Sequence, residues 1–175
     1  MRIIAGRWKG HPLQSMKGSK IRPTTDRVRE AWMAALGPGL EGVRVVDLFA
    51  GTGALGLEAL SRGASEVVFV ERDRGPLTAI RANIRRLGAE EECRVVQGDV
   101  FSFLRREAVG SFDLALADPP YDRGLAQKLL ERFIEKEFAR ELWVEHRSAE
   151  DMPPVAGLRQ RRYGDTTISI LARNE

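Results

Sequence analysis

The residues best suited to chemistry are Asp118-Pro119-Pro120-Tyr121, directly after the apolar run Phe112 to Ala117. Two successive prolines remove two backbone donors and forbid helix. The chain must therefore leave the run stiff and extended, with Asp118 and neighbouring carbonyls as acceptors and Tyr121 projecting nearby. That arrangement suits a flat substrate carrying an amino group. A second candidate is Gly51-Thr52-Gly53-Ala54-Leu55-Gly56, which follows Val45-Val46-Asp47-Leu48-Phe49-Ala50. Its spacing is G-x-G-x-x-G, in which glycines let the backbone approach a ligand and the following helix offers free N–H groups. Glycines that merely pack a helix produce the same spacing. Glu71 ends the apolar run Val67-Val68-Phe69-Val70, twenty positions after Gly51. An acidic group there can accept hydrogen bonds from ribose hydroxyls.

These residues need elements to hold them. A strand from Val43 to Phe49 and a helix to about Arg62 frame the glycines. Gly63-Ala64-Ser65 turns into the strand ending at Glu71. The next helix carries Leu77, Ile80, Ile84 and Leu87 on one face and ends at Gly88. Arg94 to Gln97 is a third strand, followed by Gly98-Asp99 and a helix from about Phe101 to Glu107. After Tyr121 a helix carries Leu125, Leu129, Leu130, Phe133 and Ile134, and Leu142 to Glu145 is a further strand. Leu158–Tyr163 and Thr167–Ala172 flank Gly164-Asp165 as an antiparallel hairpin. Ahead of all this, Arg2 to Ala5 and Pro12 to Gln14 predict a small hairpin around Lys9-Gly10. Lys17 to Arg22 predicts a loop, and Pro23-Thr24-Thr25-Asp26 caps a helix bearing Val28, Ala31, Trp32, Ala35 and Leu36. Arg22, Thr24, Asp26 and Arg27 fit either helix-start chemistry or an active-site rim.

Alternating βα units followed by a hairpin predict an α/β fold: a mostly parallel, doubly wound sheet with an antiparallel edge. Such sheets bind ligands at the carboxyl ends of their strands, at a switch point. Gly51 and Gly53, Glu71, Asp99 and Asp118 all fall at such ends, on four successive strands. Asp99 alone is equally explained as a helix cap.

The chain has 175 residues, 43% of them hydrophobic, enough for one domain with a real core. It has no run of about eighteen apolar residues, and Met1 to Arg7 lacks the apolar centre of a signal peptide, so a cytoplasmic protein with no membrane partner is expected. The one cysteine, Cys93, predicts a small buried or half-buried residue rather than a nucleophile, and His11 and His146 with no cysteine partner give no zinc pattern. Residues 1–29 hold eight basic side chains against a single acid, Asp26, although the whole chain carries only +3. This basic segment predicts contact with a phosphate backbone through Arg2, Arg7, Lys9, Lys17, Lys20, Arg22 and Arg27, and a solvated solubilising arm is the plainer alternative. The expected division is a basic extension over 1–22 and a catalytic domain over 23–175. No long heptad stretch is present, so a monomer is expected.

Across nearly its whole length the chain resembles the class I S-adenosylmethionine-dependent methyltransferases, and more closely the RsmD family of bacterial 16S rRNA (guanine-N2)-methyltransferases. The resemblance rests on Met1-Arg2-Ile3-Ile4-Ala5-Gly6, on Arg22-Pro23-Thr24-Thr25-Asp26-Arg27-Val28-Arg29-Glu30, on Asp47 to Gly56, on Glu58 to Ala64 and on Asp118-Pro119-Pro120-Tyr121. The last motif marks amino methylation broadly, and the two N-terminal stretches narrow it to this family. Thr52 stands where a serine is common and keeps the hydroxyl. The resemblance implies a Rossmann-like seven-stranded sheet and methyl transfer from S-adenosylmethionine, leaving S-adenosylhomocysteine, to the N2 amine of a guanine in 16S rRNA. By the same resemblance the guanine is number 966 and the partner is the small ribosomal subunit, as an assembled particle rather than free rRNA. It further implies cofactor binding by Asp47, Phe49, Gly51, Gly53, Glu71, Arg72, Asp99, Val100, Phe101 and Asp118, with no metal. Asp118, Pro119, Pro120 and Tyr121 would hold the target base, which must leave its stack to be reached.

Other readings compete. Another rRNA base, a DNA adenine or a protein glutamine could be the acceptor. An NAD-linked oxidoreductase fits the glycines and Glu71 but leaves Asp118-Pro119-Pro120-Tyr121 unexplained. A non-catalytic RNA-binding assembly factor would have no need of that motif.

Overall fold

The computed structural model describes residues 1–16 and 24–174. The loop expected over Lys17–Arg22 and the cap expected at Pro23 lie outside the described residues. Seven strands form one sheet: β1 (Arg44–Leu48), β2 (Glu66–Glu71), β3 (Cys93–Gln97), β4 (Phe112–Ala117), β5 (Ala139–Arg147), β6 (Arg159–Tyr163) and β7 (Thr166–Ala172). Their order is β3-β2-β1-β4-β5-β7-β6. Strands β1 to β5 are parallel, and the closing hairpin adds β7 antiparallel to β5, with β6 outermost.

The helices are α1 (Thr24–Leu36), α2 (Ala54–Ser61), α3 (Arg74–Leu87), α4 (Val100–Arg106) and α5 (Leu125–Glu135). Side chains alternate across the sheet, so each strand feeds two cores. Val45, Phe69, Leu116, Trp143 and Ile168 pack with α1, α2 and α3 on one face. Val46, Val70, Ala115, Val144 and Leu171 pack with α4 and α5 on the other. Strands covered on both faces read as unbroken apolar runs, which is why β1, β2 and β4 are plain in the sequence. Strand β5 extends well beyond the expected Leu142–Glu145. Its start, Ala139-Arg140-Glu141, carries charge but is laddered to β4 and β7, so hydrogen bonding continues it past the apolar stretch. No helix among the described residues is long and apolar enough to cross a membrane.

The N-terminal hairpin is reduced to an isolated bridge between Arg2 and Pro12. Pro12 sits in the non-hydrogen-bonded pair, where its missing N–H costs nothing, and the Ile3 and Leu13 amides bond the His11 and Met1 carbonyls at 3.0 and 2.8 Å on either side. The segment is also held by the body. Glu58 of α2, fully buried, accepts from the Ile4 amide at 2.9 Å and the Ala5 amide at 3.0 Å. The Ser61 hydroxyl donates to the Ala5 carbonyl at 2.7 Å and accepts from the Trp8 amide at 3.1 Å. Ile3 and Leu13 are buried in the core on the α1–α3 face.

Candidate active site

At the end of β1 the chain turns sharply. Phe49 has a φ of 57°, uncommon for a residue with a side chain, and Gly51 has the same value. Strand β2 ends beside this turn, and its last residue holds it. One oxygen of Glu71 accepts from the Gly51 amide at 2.8 Å. The other accepts from the amides of Arg72 at 2.8 Å and Asp73 at 2.9 Å. One carboxylate thus closes three backbone donors from two loops. Glu71 acting as a loop fastener was not legible from spacing alone.

Beneath the turn lies Asp47, 2% exposed, whose Oδ2 accepts from the Gly56 amide at 3.0 Å. Burial pushes its carboxyl up to about 8, against the partial relief of that hydrogen bond, and the nearby Glu71 charge raises it further. Gly56 has a steric cause: a Cβ there would lie 2.4 Å from the Phe69 ring, so α2 could not pack this closely on β2. At the end of β3, Asp99 caps α4, accepting from the Ser102 amide at 2.8 Å. Behind the cap Phe101 meets Phe49 edge-on, ring centroids 6.3 Å apart.

The four strand ends open onto a cavity of about 700 Å³. Its wall includes Phe49, Gly51, Glu71, Arg72, Asp99, Val100 and Phe101 on one side and Asp118, Pro119, Pro120 and Tyr121 on the other. Asp47 and Gly53, expected to touch a ligand, are not on that wall. Asp47 sits under the turn, and Gly53 is the N-cap of α2, with no side-chain cap. Among the described residues no group of three metal-ligating side chains occurs. Cys93 is half-buried at the start of β3, and burial with nearby Glu92 pushes its thiol up to about 12.

Past β4 the chain runs through both prolines to Tyr121, whose hydroxyl donates to Glu145 and lies 3.3 Å from Thr166 Oγ1. Burial, then the Glu145 charge, pushes the Tyr121 hydroxyl upward, so it stays a neutral donor at neutral pH. Glu145 is 8% exposed, and its second oxygen accepts from the Trp32 indole of α1 at 2.8 Å. The Arg147 guanidinium lies 5.2 Å from the Tyr121 ring centroid and is paired with Asp122 at 3.1 Å.

Glu145 and Thr166 belong to the cavity wall but are missing from the sequence reading. Glu145 had a signal, since it follows the apolar run Leu142-Trp143-Val144 just as Glu71 follows Val67 to Val70. Thr166 had none, because its place depends on β7 lying against β5. Met1, Ser15, Met16 and, from α1, Val28 also reach the wall, and Asn83 explains how the N-terminal segment comes there. It accepts from the Gln14 amide at 2.6 Å and donates to the carbonyls of Gln14 and Thr52, each at 3.1 Å, fastening the N-terminal segment to the glycine turn.

The basic residues of that segment lie differently. Arg7 pairs with Glu92, just before β3 begins, and stacks 4.0 Å over Trp8. Its amide bonds the Ser61 carbonyl at the last turn of α2. Arg7 therefore sits at the amino end of the strands, opposite the cavity. Arg2 donates to the Gly10 carbonyl at 2.7 Å, while Lys9 and Arg27 are exposed. Lys17, Lys20 and Arg22 lie outside the described residues.

Comparison with known proteins agrees with this picture. A family model described as conserved hypothetical protein 95 matches residues 1–172. A Bacillus subtilis protein named putative rRNA methyltransferase YlbH is 34% identical over 179 residues, covering 97% of both chains. The Escherichia coli K12 protein named ribosomal RNA small subunit methyltransferase D is 39% identical over 130 residues, which is 74% of this chain and 65% of that one. Among solved structures, the putative methyltransferase yhhF from Escherichia coli superposes with a TM-score of 0.85 at 33% identity, covering 99% of this chain and 97% of that one.

Proposed function

The chain belongs to the conserved hypothetical protein 95 family, the RsmD methyltransferases, and on that basis we propose that it methylates the N2 amine of a guanine in 16S rRNA of the small ribosomal subunit. The resemblance makes this guanine 966. The observation that carries the reading is the meeting, in one cavity, of the Gly51 turn, Glu71 and Asp99 with Asp118-Pro119-Pro120-Tyr121.

The residues fit S-adenosylmethionine as cofactor. A Cβ on Gly51 would meet nothing within 4 Å, so the turn leaves open space for a ligand against the backbone. The wall carries acceptors for ribose hydroxyls and an adenine amine in Glu71 and Asp99, and apolar surface for a ring in Val100 and Phe101. When bound, the cofactor supplies an electrophilic sulfonium methyl group.

The protein's own groups do the rest. A guanine amine is a weak nucleophile because its lone pair is delocalised into the ring. Asp118 and the Pro119 carbonyl accept from its N–H groups, favour a more tetrahedral nitrogen and aim the lone pair. Asp118 is exposed, so the proton the amine loses on methylation can pass to its carboxylate and on to water. Tyr121, its hydroxyl tied to Glu145, offers a fixed ring face for the flipped base. Alignment of this kind is worth several kcal/mol.

The test is incubation with labelled S-adenosylmethionine and, in parallel, small ribosomal subunits lacking the mark, naked 16S rRNA and DNA, followed by mapping of the labelled nucleotide. Label on guanine N2 of the small-subunit RNA is expected. Label on DNA alone, or on another base, overturns the proposal.

A further inference from the structure

We infer that the outer strand of the closing hairpin, β6, is a docking strip for the phosphates of RNA flanking the target nucleotide. The inference rests on the proposed rRNA acceptor and says where that RNA lies.

Strand β6 reads Arg159-Gln160-Arg161-Arg162-Tyr163, and its first four residues are exposed. The hairpin over 158–172 carries these three arginines and Arg173 follows it, against one acid, Asp165, in its turn. The register ties the strip to the cavity. Arg161 pairs with Ile168, and Ile168 with Glu145; Tyr163 pairs with Thr166, and Thr166 with Arg147. Directly paired residues share a face of the sheet. Arg161 and Tyr163 therefore continue outward the rows that hold Glu145 and Arg147, the two residues around Tyr121. Two strand spacings, about 10 Å, separate Arg161 from Glu145 along that row.

The charges of Arg161 and Arg162 are open to a ligand in a way that the charge of Arg7 is not. Arg159 is paired with Glu141 at 3.0 Å. Arg162 donates to the Gly164 carbonyl at 3.0 Å, and among the described residues neither Arg161 nor Arg162 has an ion-pair partner. Arg7, by contrast, is neutralised by Glu92 at the opposite end of the sheet. A base flipped onto Tyr121 leaves its neighbours outside the cavity, and the half-buried Tyr163 shares a face with Arg161, the combination of aromatic face and cation that single-stranded RNA uses, while Arg162 adds a charge from the opposite face of the same outer strand. The competing use of such arginines is to stop the sheet edge from pairing with another chain.

The test compares the wild type with Arg161→Ala/Arg162→Ala and with Arg161→Lys/Arg162→Lys. The readouts are methyl transfer to unmarked small ribosomal subunits, filter binding of naked 16S rRNA over a salt series, and calorimetry with S-adenosylhomocysteine. The alanine pair is expected to raise KM for the subunit and Kd for the RNA about tenfold, with kcat and S-adenosylhomocysteine affinity within about twofold of wild type. The salt slope of RNA binding should fall by about 1.4, two single-strand phosphate contacts. The lysine pair should recover most of the loss. Unchanged KM, Kd and slope overturn the inference, and if the alanine pair then elutes as an oligomer the arginines serve edge protection. Failure of the rRNA reading itself would look different: the wild type would transfer no methyl group to RNA, and filter binding would still decide on the strip.

Discussion

The two halves of the sheet meet at one cavity but build it by different means. In the β3-β2-β1 half, carboxylates at strand ends hold backbone. Glu71 takes three amides, Asp47 takes the Gly56 amide and Asp99 takes the Ser102 amide. In the β4-β5-β7-β6 half, side chains hold one another. Tyr121 reaches Glu145 24 positions away and Thr166 45 positions away, and Trp32 reaches Glu145 from 113 positions away. Loop backbone needs nearby acceptors, so the β3-β2-β1 half, the proposed cofactor side, is written in short motifs. An acceptor pocket must fix a ring in space, which takes partners from several elements.

This contrast can be broken most sharply at Asp118. Asp118→Ala is expected to lower kcat by about 10³-fold, the scale of one lost transition-state contact, while calorimetry finds S-adenosylhomocysteine affinity near wild type. An equal loss of cofactor affinity would erase the distinction between the halves. Next in size is the effect of Asp47 on stability. Its folded carboxyl keeps a proton up to about pH 8, whereas the unfolded one releases it near 3.8. The folded state then binds more protons over that interval, so stability falls as pH rises from about 4 to about 8 and levels off above. Asp47→Asn should flatten that slope, worth on the order of a few kcal/mol, in thermal melts taken at several pH values. A wild type whose melting temperature is constant from pH 5 to 8, on the order of the window named, would contradict a neutral buried Asp47.

Glu71→Ala should weaken S-adenosylhomocysteine about 100-fold, from the loss of charged hydrogen bonds and a loosened Gly51 turn. Saturating cofactor should restore most of kcat, and a kcat defect that persists would move Glu71 into the acceptor half. The smallest effect belongs to Glu145→Gln, whose one amide oxygen can still accept from Trp32 while its NH2 group faces the Tyr121 oxygen, and which removes the charge. About a tenfold loss in kcat is expected. Ultraviolet titration should show Tyr121 ionising at lower pH than in wild type, because the Glu145 charge is one cause of its raised value. With only two tyrosines in the chain, the change is readable against Tyr163. An unmoved titration would mean that burial and the Asp118 charge raise the hydroxyl without Glu145.

Legibility followed range. The glycine turn, Glu71, Asp99 and Asp118 were readable because each ends an apolar run and sits where a parallel sheet collects its ligands. Gly88 ended α3 as expected, in the left-handed conformation that glycine tolerates. The N-terminal segment was readable as basic but not as placed. Its charge suggested an arm, whereas Glu58, Ser61 and Asn83 fasten its backbone along α2 and α3, with Arg7 at the end away from the cavity. None of those three anchors stands out by type or spacing, since a polar residue on a helix is ordinarily a solvated one.

The amino-acid sequence by itself determined the alternation of strand and helix, the glycine turn and the row of acidic strand ends, because period, proline and glycine act over a few residues. The tertiary structure alone decided that β7 enters between β5 and β6, that Glu145 and Thr166 close around Tyr121, and that Arg161 of β6 lies in register with Glu145. Strand order is set by which faces bury one another best across the whole chain, and no local pattern carries that sum.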